Sequence, residues 1–177
     1  YGWETHVVCR HYGYDADADQ LARDVHPDVT VHYLGQKTPR ATSPQPPSAS
    51  AGWKRRLKEG VDKWIVPDGS LVTWKRLAPQ AAELVREIKP DVVLSSGPQH
   101  SIHWLAERMA RAVGAKWAAD FRDPYTIDVR FQPKGWLAPL RMAHRRFERS
   151  IYHGADITVH AIPLHGRWAS RAYPGRK

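Results

Sequence analysis

The stretch Asp91-Val92-Val93-Leu94-Ser95-Ser96-Gly97 decides the fold. A short β-branched run that stops at Ser-Ser-Gly is the composition of a buried parallel strand handing its chain to a loop. Before it, from Lys75 onward, Leu77, Ala81, Leu84, Val85 and Ile88 recur at helical spacing, and Lys89-Pro90 ends that helix. After it, Ile102, Leu105, Ala106, Met109 and Val113 form the next apolar stripe, closed by Gly114 as a C-terminal cap. Lys116-Trp117-Ala118-Ala119-Asp120-Phe121 reads as a strand. Leu140, Ala143, Phe147 and Ile151 mark a third helix ended by Gly154, Ala155–His160 a last strand, and Leu164–Ala172 a short helix. This alternation predicts an α/β, Rossmann-like parallel sheet flanked by helices.

The first third is less regular. Thr5–Cys9 and Val29–Leu34 read as strands, with a loop and a short helix over Ala18–Val25 between them. Gln36–Ala51 is rich in Pro, Ser and Thr, too polar for a core. Trp53-Lys54-Arg55-Arg56-Leu57-Lys58 restarts order as a basic, partly amphipathic helix. The expectation is a single domain over 1–177 with a mobile or inserted segment around 35–63. Tyr1 and Lys177 read as cut points, so the chain is expected to be a piece of a longer protein.

The chain has 177 residues, of which 25% are charged and 42% hydrophobic, a balance that excludes wholesale disorder. Lys and Arg number 27 against 18 Asp and Glu, a net charge of +9. The single cysteine, Cys9, excludes an internal disulfide framework and a multi-cysteine zinc site, and in a strand it reads as a small buried apolar residue. No apolar run approaches the roughly 20 residues needed to cross a bilayer. The expected setting is soluble and reducing.

In an open parallel sheet, ligands bind beyond the carboxyl ends of the strands, where helix N-termini offer free N–H groups. Two such ends are polar here. At Ser95-Ser96-Gly97-Pro98-Gln99-His100-Ser101, hydroxyls and a close backbone approach suit an oxygen-rich or anionic ligand. The same residues also suit a plain structural role, with Ser101 capping the helix and Gly97 turning the chain. At Asp120-Phe121-Arg122-Asp123-Pro124-Tyr125, charges at the end of a buried strand are costly unless paired or used. Either Arg122 grips an anion, or it pairs internally with Asp120 or Asp123 and locks the loop. The ten histidines show no zinc-motif spacing, and no metal is expected. Arg141, His144, Arg145, Arg146 and Arg149 fall along one helix and, with Lys54, Arg55, Arg56 and Lys58, could form a positive surface. Trp53 and Trp136, beside basic runs, suit interfacial anchors and equally suit core positions.

An ordered series of motifs resembles a known family. Trp64-Ile65-Val66-Pro67-Asp68, Trp74, Lys89-Pro90-Asp91-Val92-Val93-Leu94-Ser95-Ser96-Gly97-Pro98 and Trp117-Ala118-Ala119-Asp120-Phe121-Arg122-Asp123-Pro124-Tyr125 look like the amino-terminal domain of family-4-type glycosyltransferases, retaining enzymes of the GT-B fold. Gly2-Trp3-Glu4-Thr5-His6-Val7 resembles that domain's second strand, so the first strand is missing. Many relatives carry a histidine where this chain has Arg122, and those with the Asp-Phe-Arg-Asp-Pro form usually have tryptophan where it has Tyr125.

The resemblance implies the acceptor-binding half of an enzyme that moves a sugar from a nucleotide-sugar to an acceptor hydroxyl with retention, in cell-envelope or polysaccharide synthesis. It implies no cofactor beyond the nucleotide-sugar co-substrate, which the absent carboxyl-terminal domain mainly holds, and no turnover by this chain alone. Arg122 and Asp123 are the expected catalytic pair. Ser95, Ser96, Gly97, Gln99, His100 and Asp120 are expected to line the acceptor side, with Tyr125 stacking on a sugar or lipid-linked group. The implied partner is a sugar or lipid-linked acceptor, and the positive charge and tryptophans add the expectation of an anionic membrane surface, giving a cytoplasmic protein peripheral on the inner face of the cell membrane. The alternative is a non-enzymatic basic α/β module for nucleic acid or another anionic ligand. It lacks a helix-turn-helix, zinc or RNA-stacking signature. A dinucleotide-binding reading lacks Gly-x-Gly-x-x-Gly.

Overall fold

The structure is a computed structural model that describes residues 2–10, 24–35, 65–126 and 138–174. The chain divides into two compact units, Tyr1–Ala51 and Gly52–Lys177. In the first, β1 (Thr5–Arg10) and β2 (Val29–Leu34) pair in parallel, from Thr5 opposite Val29 to Arg10 opposite Leu34. The helix expected over Ala18–Val25 falls mostly outside the described residues, as do the 36–51 segment and the basic Trp53–Lys58 helix.

The second unit holds α1 (Ser70–Ile88), β3 (Val92–Ser96), α2 (Ser101–Val113), β4 (Lys116–Phe121), α3 (Ala138–Gly154), β5 (Ile157–His160) and α4 (Pro163–Ala172). The three strands form one parallel sheet in the order β3-β4-β5, with Ser96 opposite Asp120 and Phe121 opposite His160. The fold is thus α/β with parallel sheets and flanking helices, the Rossmann-like class read from the sequence.

Helix α1 begins five residues before the expected Lys75, because Asp68 supplies its start: its side-chain Oδ1 and backbone carbonyl accept from the Ser70 and Leu71 N–H groups. It ends at Lys89, whose backbone is left-handed (φ 50°), before Pro90 forbids continuation. Its buried residues Leu71, Trp74, Ala81 and Val85 lie on the face that packs against α2, and α2 packs on β3 and β4.

Period-2 alternation divides the sheet's side chains between two faces. Trp117, Ala119 and Phe121 point into a core completed by Ala106 and Ala110 of α2, Ile151 and Tyr152 of α3 and Ala169 of α4. Gly154 ends α3 hard against this core: a Cβ there would lie 3.1 Å from the Trp117 ring. The intervening residues face the other way, and Leu94 and Ile157 are 64% and 62% exposed.

Candidate functional site

The carboxyl edge of β3 and β4 carries most of the residues singled out by sequence. Ser96 and Asp120 are register partners, and the Ser96 hydroxyl donates to Asp120 Oδ2 at 2.6 Å on the exposed side of the edge. Gly97 follows with φ 144°, a conformation that L side chains rarely adopt, and no atom lies within 4 Å of where a Cβ would stand. Gln99 is exposed. Just past β4, Arg122 and Asp123 are exposed, and neither forms an ion pair among the described residues. The locking pair with Asp120 or Asp123 is therefore not made; Asp120 is engaged by Ser96 instead.

Three expected cleft residues, Ser95, His100 and Tyr125, sit inside the protein. Ser95, one residue out of phase with Ser96, is 2% exposed on the helix-covered face. Its hydroxyl oxygen accepts from Trp117 Nε1 at 2.9 Å and lies 2.8 Å from His103 Nδ1. His103 is fully buried, and burial drives its pKa down to about 3, so this pair is neutral packing. Tyr125 is also buried, with its face on His100 (ring centroids 4.0 Å apart, 25° between planes) rather than open to a sugar.

The N-terminus of α2, expected to receive a ligand anion, is already served by the chain's own carboxylate. Asp68 Oδ2 accepts from the Ser101 N–H at 2.9 Å and Oδ1 from the Ser101 hydroxyl at 2.6 Å. The next N–H groups, of Ile102 and His103, turn back to the carbonyls of Gln99 and His100. Asp68 therefore joins the start of α1 to the start of α2.

Below this junction lies a buried chain of rings. His100 is 8% exposed, and burial lowers its pKa to about 4 against the opposing negative charges of Asp68 and Asp123. The Tyr125 hydroxyl meets His144 Nδ1 and donates to the Pro67 carbonyl at 3.3 Å. His144, expected on the basic face of its helix, is instead buried, and its pKa is lowered by burial. One turn along α3, fully buried Glu148 accepts from Thr126 Oγ1 and, at 2.6 Å, from the Tyr173 hydroxyl. Burial raises its pKa despite these bonds.

Asp68, His144 and Glu148 were missed as site-forming residues. The i, i+4 spacing of His144 and Glu148, in phase with Ile151 and Tyr152, marks the buried side of α3 and was the available signal. Among the described residues, no group of three or more His, Cys, Asp or Glu is placed to hold a metal ion, and no helix is long and apolar enough to cross a membrane.

No family model, curated protein or solved structure matches this chain.

Proposed function

We propose that the chain is the acceptor-side half of a retaining glycosyltransferase. The observation that carries this reading is the β3–β4 edge: Ser96 and Asp120 are joined across adjacent strands, and the chain runs directly from β4 into exposed Arg122 and Asp123, which have no ion-pair partner among the described residues. Charges left unpaired beside an ordered polar edge suit a ligand rather than the fold. In this reading the acceptor oxygen bonds to the anomeric carbon as the bond to the diphosphate breaks, the acceptor's proton passing to the departing phosphate oxygen, with configuration kept. Arg122 steers the negative charge that develops on the leaving group, and Asp123 orients the acceptor hydroxyl. Asp68, by closing the α2 N-terminus, leaves the phosphates to Arg122 and to the donor domain. His100, buried and stacked on Tyr125 with its pKa depressed by burial, supports this edge from within and is not a cation there at pH 7.

The test is sugar transfer by the protein that carries this chain together with its donor domain. Arg122→Ala and Asp123→Ala are each expected to lower kcat/KM by roughly 100-fold, as loss of a transition-state charge contact does. Rates near wild type for both variants overturn the assignment. A membrane-bound, lipid-linked acceptor is favoured by the exposed Arg145, Arg146 and Arg149 of α3 beside Met142, which is 75% exposed. Salt-sensitive binding to random DNA or RNA, with no transfer, would favour the basic binding module instead.

A further inference from the structure

We propose that the hollow enclosed by the end of α3, β5 and α4 binds a single neutral sugar ring. The cavity has a volume of about 390 Å³, within the range of small-molecule sites. Its lining contains no Asp, Glu, Lys or Arg. The two histidines of the lining, His153 and His160, are its only ionisable groups besides tyrosine hydroxyls.

Three aromatic rings, Tyr152, His160 and Tyr173, line the hollow, and they are nearly parallel to one another and to the buried Phe121 behind them. Tyr152 stacks on Phe121 at 4.7 Å and 1°, on His160 at 5.8 Å and 10°, and on Tyr173 at 5.0 Å and 21°. Facing them, Gly166, Ala169 and Ser170 of α4 leave room that larger side chains would fill. Tyr152 is 8% exposed, yet its hydroxyl makes no hydrogen bond among the described residues, and the Thr158 hydroxyl and the His160 imidazole are likewise unclaimed. These polar groups border the hollow with no hydrogen-bond partner in the protein among the described residues, so a ligand's hydroxyls can bond to them. Burial also lowers the His160 pKa, which favours its neutral form. A sugar ring meets all of these features at once, laying its C–H face on the aromatic wall and offering hydroxyls at its rim.

The hollow borders the carboxyl end of β5, where His160 is the register partner of Phe121, the residue before Arg122. The inference rests on the glycosyltransferase reading for its purpose, since the ring bound would be a unit of the acceptor, but binding is readable without donor or transfer.

Titration of the chain with methyl glycosides of neutral hexoses, followed by amide NMR, tests it. Saturable shifts confined to the cavity residues are expected. Tyr152→Phe keeps the ring but removes the hydroxyl and should weaken binding about tenfold, the worth of one neutral hydrogen bond. Gly166→Leu should abolish binding while the fold persists. Its Cβ would meet His160 Cδ2 at an ordinary 3.5 Å, with the rest of the side chain filling the hollow. No saturable shift, shifts that survive Gly166→Leu, or equal binding of a hexose phosphate or uridine would overturn the site. Its failure leaves the transfer assay on Arg122 and Asp123 standing, and inert Arg122 and Asp123 variants leave sugar binding in the hollow unaffected.

Discussion

Asp68 takes four hydrogen bonds through one residue: two side-chain bonds from Ser101, one from the Ser70 N–H, and a backbone bond from Leu71. Each would otherwise leave a helix-terminal N–H or a buried hydroxyl without an acceptor, and Ser101 is fully buried. Asp68→Ala is expected to cost about 2–3 kcal/mol in urea unfolding, a lost cap plus an unsatisfied buried hydroxyl. Asp68→Asn keeps one acceptor oxygen and should fall between. A loss in Asp68→Ala under roughly 0.5 kcal/mol, the scale of a neutral surface change, overturns this role. In the sequence Asp68 stands 33 residues from Ser101, so no local pattern announces their bond. Ser95 and Ser96 show the opposite case. Strand alternation alone separates the inward hydroxyl from the outward one, although the two serines are adjacent and chemically alike in the sequence.

At the scale of elements, Gly114 and Lys89-Pro90 were readable because backbone geometry at a helix end is a local matter. The sheet order and register were reachable only as a class, since which strands pair depends on long-range packing. Within α3, the apolar stripe was legible, but His144 and Glu148 were not, because their burial depends on partners far along the chain, Tyr125, Thr126 and Tyr173. Removing His144 from the basic face leaves Arg145, Arg146 and Arg149 exposed there, with Arg149 Nε donating to His153 at 3.4 Å. If this face rests on anionic lipid, each arginine contributes about 1 kcal/mol, so replacing all three by Ala should lower affinity for phosphatidylserine vesicles roughly 100-fold. Sedimentation that is equal on neutral vesicles, or unchanged in the triple variant, removes the membrane from the picture.

At the scale of the whole molecule, burial of imidazoles makes stability depend on pH in a definite direction. His100 and His103 titrate in the folded chain at about 4 and about 3 against a usual 6.5, and burial lowers His144 and His160 as well. Below about pH 6.5 the unfolded chain therefore takes up protons that the folded chain refuses, and stability falls as the medium is acidified toward about pH 3. Glu148 works the other way. Its folded pKa lies above the usual 4.5, so its contribution is fully present below that value and is lost as pH rises through the folded pKa. Several depressed histidines oppose this one raised carboxyl, so the net slope follows the histidines. The urea midpoint is expected to drop between about pH 7 and about pH 5, and His100→Asn should flatten the slope by up to about 1.4 kcal/mol per pH unit, the limit for one proton. A midpoint that holds constant or rises on acidification would mean that these imidazoles are hydrated in solution. The buried ring stack of His100 on Tyr125, which lies beneath the proposed acceptor edge, would then not be formed.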